Sequence, residues 1–216
     1  PKKNNGAFVA LDARTGAVIA MASFPSYDNN IMTGAISRKD WAVLNDPDER
    51  PLINRAVRGL YPPGSTLKPA VGLFALEEGI ITKNTVFAAC TGKYRFGNRD
   101  FYCWNRAGHG VENIVGAIEA SCNVFFYQLA EKISIDLFAS EMGKFSFGHR
   151  TGIDLPYEKS GLVPDRDWYS KNYGKYNWGQ GNVLNLSIGQ GEFLVTPIQM
   201  AQCYTALSNN GVYYKP

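Results

Sequence analysis

Two short apolar runs near the start of the chain predict a pair of strands. Residues 6–11 and 17–22 are mostly apolar, and the turn formers Asp12 and Gly16 lie between them. This pattern is typical of a β-hairpin. The next segment, residues 24–64, is rich in Pro, Asn, Asp and Gly and has only short apolar runs, so it predicts a long excursion over the surface.

A helix is predicted over residues 65–78. Leu67, Val71 and Phe74 recur there at helical spacing, and Gly79 is a stop signal. The first turn of this helix contains a serine and a lysine, Ser65 and Lys68.

Another helix is predicted over residues 197–207. Thr196 is a suitable N-cap, Pro197 occupies the first helical position, and Asn210-Gly211 is a terminator. Residues 157–192 carry many Tyr, Trp, Asn and Gly residues and predict loop structure. Two interpretations of that segment stay open: aromatic walls for a cleft, or an irregular surface.

Composition restricts the functional classes. The 216 residues are 45% hydrophobic and 13% aromatic, enough for one domain with a sizeable core. The net charge is +3 and no basic run carries interleaved aromatics, which argues against a nucleic-acid partner. No stretch approaches the ~18 apolar residues of a membrane span, and residues 1–6 lack the apolar core of a signal peptide. The chain begins without Met and stops after the last predicted helix, so we expect both ends to be cuts.

Ser65 and Lys68 are three residues apart and share one face of the predicted helix, so the amine can reach the hydroxyl. A lysine can take the serine proton if desolvation and nearby positive charge lower its pKa, and a helix N-terminus supplies some positive potential. The backbone N–H groups at that terminus can also stabilise an oxyanion. Taken alone, Ser-x-x-Lys is equally explained as an exposed pair that occurs by chance.

Ser121 and Asn123 lie between two further predicted helices, residues 111–120 and 124–133. In a continuous helix, residues two apart point in nearly opposite directions, whereas in an extended turn they face the same way. The two side chains can therefore cooperate only at a helix break. Asn123 is a suitable N-cap for the second helix, and capping alone is an alternative explanation of the pattern.

Together these two patterns carry a family resemblance. Ser-x-x-Lys followed by Ser-x-Asn resembles the first two motifs of penicillin-binding proteins and serine β-lactamases. The resemblance covers nearly the whole chain and is nearest to the class B penicillin-binding proteins, in particular their elongation-specific type. It rests on residues 6–28, on the nucleophile segment Tyr-Pro-Pro-Gly-Ser-Thr-Leu-Lys-Pro at 61–69, and on residues 143–145, 151–155, 187–191 and 196–201.

The resemblance implies a fold and a reaction. The fold is the α+β transpeptidase fold shared with serine β-lactamases, a mainly antiparallel sheet covered by helices, and residues 1–216 are expected to be part of that domain without its C-terminal sheet strands. Ser65 is expected to attack the penultimate D-Ala of a peptidoglycan stem peptide, with Lys68 as the base. Ser121 and Asn123 are expected to relay protons and to hold Lys68 and the substrate amide. No catalytic cofactor is expected.

One motif of the family is missing. The third motif, Lys-Thr/Ser-Gly, lies in the family downstream of the point where this sequence stops. It supplies an oxyanion N–H and a group that binds the substrate carboxylate. The chain alone is therefore expected to be inactive.

The resemblance also implies partners and a location. Stem peptides and β-lactams are the expected ligands, and the rod-elongation machinery, with its polymerising glycosyltransferase and shape scaffold, is the expected assembly. The location is the periplasmic face of the bacterial inner membrane, reached through an anchor that, like the non-catalytic pedestal, is absent from residues 1–216.

Four residues form a separate candidate site: Cys90, Cys103, His109 and Cys122. Three thiols and an imidazole make a Cys₃His set, a preferred shell for structural zinc. Such a metal would support the Ser-x-Asn motif, since Cys122 is its middle residue. A Cys90–Cys103 disulfide and unlinked core cysteines are the alternatives. The fourth cysteine, Cys203, lies on the apolar face of the last helix and is expected to be core.

Three functions share the serine motifs. A transpeptidase passes the acyl group to an amine, whereas a D,D-carboxypeptidase or a serine β-lactamase passes it to water. A non-catalytic β-lactam sensor module would bind penicillin irreversibly and act on no peptide. The resemblance outside the motifs favours the transpeptidase.

Overall fold

The structure, a computed structural model, describes residues 5–216 and confirms an α+β arrangement. Its strands are paired antiparallel, β1 with β2 and β3 with β4. Two 3₁₀ turns, Asn29–Met32 and Gly64–Leu67, precede the first and third helices. In chain order the elements are β1 (Gly6–Leu11), β2 (Val18–Phe24), α1 (Arg38–Leu44), α2 (Arg55–Arg58), α3 (Lys68–Glu77), β3 (Lys93–Phe96), β4 (Arg99–Tyr102), α4 (Ile114–Glu119), α5 (Asn123–Ala130), α6 (Ile135–Lys144), α7 (Arg166–Tyr173), α8 (Gln180–Leu186) and α9 (Pro197–Ser208).

The chain divides into two compact units. The first comprises the described residues up to Tyr61, together with His149–Gly161 and Val195–Pro216. The second comprises Pro62–Gly148 and Leu162–Leu194. Among residues 5–216, no helix is both long and apolar enough to cross a lipid bilayer.

The predicted hairpin opens the first unit. β1 and β2 pair from Gly6↔Phe24 to Leu11↔Val18, with an irregularity next to Leu11. The Asp12 carboxylate closes the turn by accepting the N–H groups of Arg14 and Thr15 at 2.8 and 3.1 Å. The hairpin is thereby confirmed.

The core of the first unit lies where β1, α2 and α9 pack together. Four buried residues form it, Ala56, Val57, Ile153 and Ile198. The prediction of a plain surface excursion over residues 24–64 is therefore wrong at α2, because two residues of that helix belong to this core. The rest of the segment is largely exposed.

The last helix follows its boundary signals. The Thr196 hydroxyl accepts the backbone N–H of Gln199, and the Gln199 side chain accepts the backbone N–H of Thr196. This reciprocal capping box satisfies two N–H groups that lack helical partners. Cys203 is buried on α9, as expected of a core residue.

The second unit is mainly helical and carries the hairpin β3–β4. Its α5 packs against α4, α8 and both strands of the hairpin. The prediction of loop structure over residues 157–192 is wrong for α7 and α8. Low apolar content concealed α7, whose Tyr169 is nevertheless fully buried, stacked on Trp178 with ring centroids 5.3 Å apart.

Candidate active site

The segment before α3 presents Ser65 at the surface. Ser65 lies in the 3₁₀ turn Gly64–Leu67, which leads directly into α3, so the predicted helix over residues 65–78 is confirmed with a tighter first turn. Gly79 ends it with a positive φ of 66°. The serine hydroxyl is thus exposed at the N-terminal end of a mostly buried helix.

A glycine from the other end of the unit supports this turn. The Gly64 N–H donates to the Gly189 carbonyl at 2.8 Å. Gly189 has a φ of +69°, and a Cβ placed on it would lie 2.2 Å from the Gly64 oxygen. Only glycine fits this close approach. Residues 187–191 contributed only to the family resemblance, and their sequence does not reveal this contact, since glycine spacing does not show which backbone lies opposite.

Lys68 is the first residue of α3 and is 1% exposed. Its ammonium Nζ donates to the Ser121 carbonyl at 2.7 Å, to the Ser121 Oγ at 3.1 Å and to the Asn123 Oδ1 at 2.7 Å. Burial lowers the pKa of Lys68 to about 8, although negative charge on Cys103 and Cys122 acts in the opposite direction. A lysine with such a pKa has an appreciable neutral fraction near neutral pH.

Ser121 occupies a break between α4 and α5. Its φ of +50° is left-handed, which is uncommon for a residue other than glycine. The break turns both its carbonyl and its hydroxyl toward Lys68. Strained backbone of this kind persists where the surrounding structure holds it, and it is frequent at functional sites.

Asn123 does not cap α5, which was one of the two explanations of the Ser-x-Asn pattern. Helix α5 begins at Asn123 with Cys122 at the N-cap position and no side-chain cap bond, so the prediction of an Asn123 cap is wrong. Its amide instead bridges two elements: Oδ1 accepts from Lys68, and Nδ2 donates to the Tyr102 carbonyl at the end of β4 at 3.2 Å. Of the two helices predicted on either side of the motif, the one that precedes it is α4. This helix begins three residues later than predicted, with Asn113 as its N-cap.

The structure therefore joins three of the four predicted catalytic residues directly. Lys68, Ser121 and Asn123 form one hydrogen-bonded group. Ser65 lies one turn before Lys68, and within residues 5–216 no hydrogen bond connects its hydroxyl to the lysine in this conformation. Such bonds are often long or absent in free enzymes.

The four candidate metal ligands are also brought together. Their ligand atoms all lie within 4.8 Å of one another, and the His109 Nδ1 is 3.7 Å from the Cys90 Sγ and 3.5 Å from the Cys103 Sγ. Ligands at about 2.0–2.3 Å from a tetrahedral zinc ion are roughly 3.5–3.8 Å apart. The two measured separations therefore fit a zinc shell. All four cysteines of the chain are free thiols in the structure, including Cys90 and Cys103.

The surroundings of these sulfurs differ. Burial raises the pKa of Cys103, but hydrogen bonds from the backbone N–H groups of Asn123, Asn105 and Val124 have the larger, opposite effect. The pKa of Cys103 therefore lies below the ordinary thiol value. Burial raises the pKa of Cys122 to about 12. A cation between the thiols would offset that cost, because metal coordination deprotonates a thiol.

The described residues thus combine an α+β fold with a buried lysine that is held by Ser121 and Asn123, one turn after an exposed serine. The family described as the penicillin binding protein transpeptidase domain matches residues 6–216, and the chain belongs to it.

Named relatives place the chain within that family. It is 44% identical over 215 residues to the peptidoglycan D,D-transpeptidase MrdA of Escherichia coli strain K12, a match that covers 99% of this chain and 34% of that protein. It is 39% identical over 213 residues to MrdA of Acinetobacter baumannii, covering 98% of this chain and 31% of that protein. The chain thus spans about a third of the length of these relatives.

Solved structures agree. The chain matches Pseudomonas aeruginosa PBP2 in complex with WCK 5153 with a TM-score of 0.91 and 41% identity, over 99% of this chain and 46% of that one. It matches the complex between PBP2 and MreC from Helicobacter pylori with a TM-score of 0.92 and 37% identity, over 99% and 40% of the two chains. It also matches a chain of a peptidoglycan synthase complex with a TM-score of 0.86 and 35% identity, over 96% and 35%.

Proposed function

We propose that this chain is the part of a peptidoglycan D,D-transpeptidase domain that forms the acyl-enzyme. The observation that carries the proposal is the buried ammonium of Lys68, held by Ser121 and Asn123 one turn from an exposed serine. A neutral lysine in that place can take a proton from Ser65. The match to relatives named D,D-transpeptidases supports the same reaction.

In the first half-reaction, the Ser65 Oγ bonds to the carbonyl carbon of the penultimate D-Ala of a stem peptide. Lys68 takes the serine proton, which passes through the Ser121 hydroxyl to the departing amine as the bond to the terminal D-Ala breaks. In the second, an amine of a neighbouring strand attacks the ester, a new amide forms, and Ser65 recovers a proton. Asn123 holds Lys68 in place and offers its amide to the substrate.

The test is acylation of the intact protein by a labelled penicillin. Wild-type protein is expected to take up stable label, and Ser65→Ala is expected to take up none, because the ester has no oxygen to form on. Ser26→Ala, which changes an exposed serine in the other unit, is the matched control and should label normally. Equal labelling of the Ser65→Ala protein would remove Ser65 from the mechanism.

The fate of the label separates the alternatives. Rapid release as hydrolysed product indicates a β-lactamase or carboxypeptidase. Stable label without cross-linking of a stem peptide to an amine acceptor indicates a sensor module. Cross-linked product that depends on Ser65 supports the transpeptidase.

A structural zinc ion held by Cys90, Cys103, His109 and Cys122 is part of the proposal. The four ligand atoms lie within 4.8 Å of one another, and three of the four residues are buried. Bound there, zinc would fix the position of Cys122 between Ser121 and Asn123 without touching the substrate. The ion would stabilise the site and take no part in acyl transfer.

The wider assignment follows the relatives. We infer that residues 1–216 belong to a longer, membrane-anchored protein on the periplasmic face of the inner membrane, where peptidoglycan is cross-linked. β-Lactams are proposed as inhibitors because the family to which the chain belongs is described as penicillin binding. The similar PBP2 of Pseudomonas aeruginosa is in complex with another small molecule, WCK 5153. A shape scaffold and a glycan polymerase are proposed as partners from the MreC complex and the peptidoglycan synthase complex.

A further inference from the structure

A cavity of about 720 Å³ lies at the turn of the hairpin β3–β4, facing the segment before α8. Its volume is within the ~300–1,000 Å³ range of small-molecule sites. The wall includes Tyr176 and Trp178, which belong to the segment 157–192 for which aromatic walls of a cleft were one of the two interpretations. None of the residues assigned above to acyl transfer or to the metal site lines it.

The wall of the cavity offers amide and cationic side chains. Four asparagines contribute amides, and Arg99 contributes the guanidinium. Among the described residues lining the cavity, none is acidic. A wall of this composition suits a ligand that is rich in amide groups and carries a carboxylate. The asparagines are Asn98, Asn177, Asn182 and Asn185.

The charge of Arg99 is not neutralised within the described part of the chain. On the same hairpin, the Asp100 carboxylate pairs with both Lys93 and Arg95, at 2.9 and 3.0 Å. Arg99 instead lies over the Phe101 ring, 5.4 Å from its centroid, and is exposed. The hairpin thus has one carboxylate for three cations, and its excess positive charge borders the cavity.

The cavity is also connected to the candidate active site through one strand. Strand β4 begins at Arg99 and ends at Tyr102, whose carbonyl accepts a hydrogen bond from the Asn123 amide. Three residues of strand span about 10 Å. An extended peptide covers the same distance with about three residues. A peptide whose reacting end is near Asn123 can therefore place a distant carboxylate at Arg99.

We propose that this cavity binds the anionic, non-reacting part of a stem peptide, with Arg99 pairing its carboxylate and the asparagines pairing its amides. The proposal rests on the proposed function for the identity of the peptide. Tyr176, which is 86% exposed, and Phe96 cover the aliphatic parts of the ligand.

The experiment measures binding to the intact protein by calorimetry. The probe is a synthetic N-acetylated tripeptide stem that lacks both terminal D-alanines, so it cannot acylate Ser65. Its C-terminus is amidated, as it is in the substrate, so that the free carboxylate is the non-reacting one. Arg99→Gln is expected to weaken binding at least fivefold, and Arg99→Glu further, because a charge-assisted pair is lost or reversed. Arg95→Gln, which removes a neighbouring cation outside the cavity, is the matched control and should bind like wild type.

Three results overturn the proposal: no binding of the tripeptide to wild-type protein, equal binding by the Arg99 variants, or equal binding of the same tripeptide with its non-reacting carboxylate amidated as well. Stronger binding of an N-acetylglucosamine tetrasaccharide that Arg99→Gln leaves unchanged also overturns it, since it assigns the cavity to glycan. Penicillin labelling of the same wild-type sample tests the proposed function separately, because β-lactam acylation needs no group from this cavity.

Discussion

At the scale of one residue, burial gives Lys68 the lowered pKa that a general base requires. The residue pattern could place a serine and a lysine on one helical face and a helix break at Ser121, and the family resemblance implied that Ser121 and Asn123 hold the lysine. Neither could show that Lys68 is 1% exposed or that its ammonium donates to the Ser121 carbonyl as well as to the two side chains. The partners of Lys68 were therefore predictable, whereas its burial was not.

The lowered pKa of Lys68 predicts how acylation depends on pH. The pKa is about 8, chiefly because burial disfavours the charged form. The base is the neutral amine, so its fraction rises from roughly a tenth at pH 7 to roughly nine tenths at pH 9. We expect the penicillin acylation rate to rise about tenfold over that interval, in stopped-flow measurements on the intact protein.

Two variants check the assignment to Lys68. Lys68→Arg keeps a positive charge but provides no base, and it should slow acylation by about 10²–10⁴-fold. Lys83→Gln, at an exposed lysine, should keep both the rate and the pH profile. A flat profile in wild-type protein between pH 6 and 10 would exclude Lys68 as the titrating base.

At the scale of elements, the predictions that rested on helix boundary signals were more reliable than the predictions for long irregular segments. Helix α9 has the predicted cap and terminator because each signal there acts on its own backbone neighbours. Helix α7 was missed because its sequence has little apolar content, and the contacts of its buried Tyr169 are with distant residues such as Glu192, 23 residues away. Pairing between distant segments also determines the turn at Gly64.

The contact between Gly189 and Gly64 gives a prediction for the nucleophile segment. In Gly189→Ala the added Cβ would lie 2.2 Å from the Gly64 oxygen, so the turn carrying Ser65 must shift. We expect acylation to slow at least tenfold, because small displacements of a nucleophile have large effects on rate. The measurement is the second-order rate of penicillin labelling beside the thermal midpoint.

Gly191→Ala is the matched control for this variant. Gly191 has a φ of +76°, but its added Cβ would have no neighbour closer than 3.6 Å. Both variants incur the left-handed backbone strain and should lose stability, whereas only Gly189→Ala should lose rate at a temperature where both are folded. Equal rates in the two folded variants would show that Gly189 does not position Ser65.

At the scale of the whole molecule, the four candidate metal ligands connect segments that are distant in sequence. Cys90 precedes the hairpin, Cys103 follows it, His109 lies in the loop after it, and Cys122 adjoins α5. The residue types alone indicated zinc, but the spacings left a disulfide and a plain core open. The sequence could not decide among these alternatives, because the convergence of all four side chains depends on how the hairpin packs against α5.

If zinc occupies this position, its removal must lower the stability of the chain. A ligand that binds only the folded state contributes about 2.7 kcal/mol at a free concentration one hundred times its Kd, which for a chain of this size is roughly 5–11 °C in Tm. We expect the intact protein to contain one zinc per chain by mass spectrometry and to lose at least that much on chelation. Cys90→Ser should lose the metal, whereas Cys203→Ala, at a buried cysteine outside the group, should keep it.

Penicillin labelling should slow with metal loss, because Cys122 lies between Ser121 and Asn123. A thiol titration that finds two of the four cysteines oxidised, with no metal and no effect of chelator, would instead establish the disulfide.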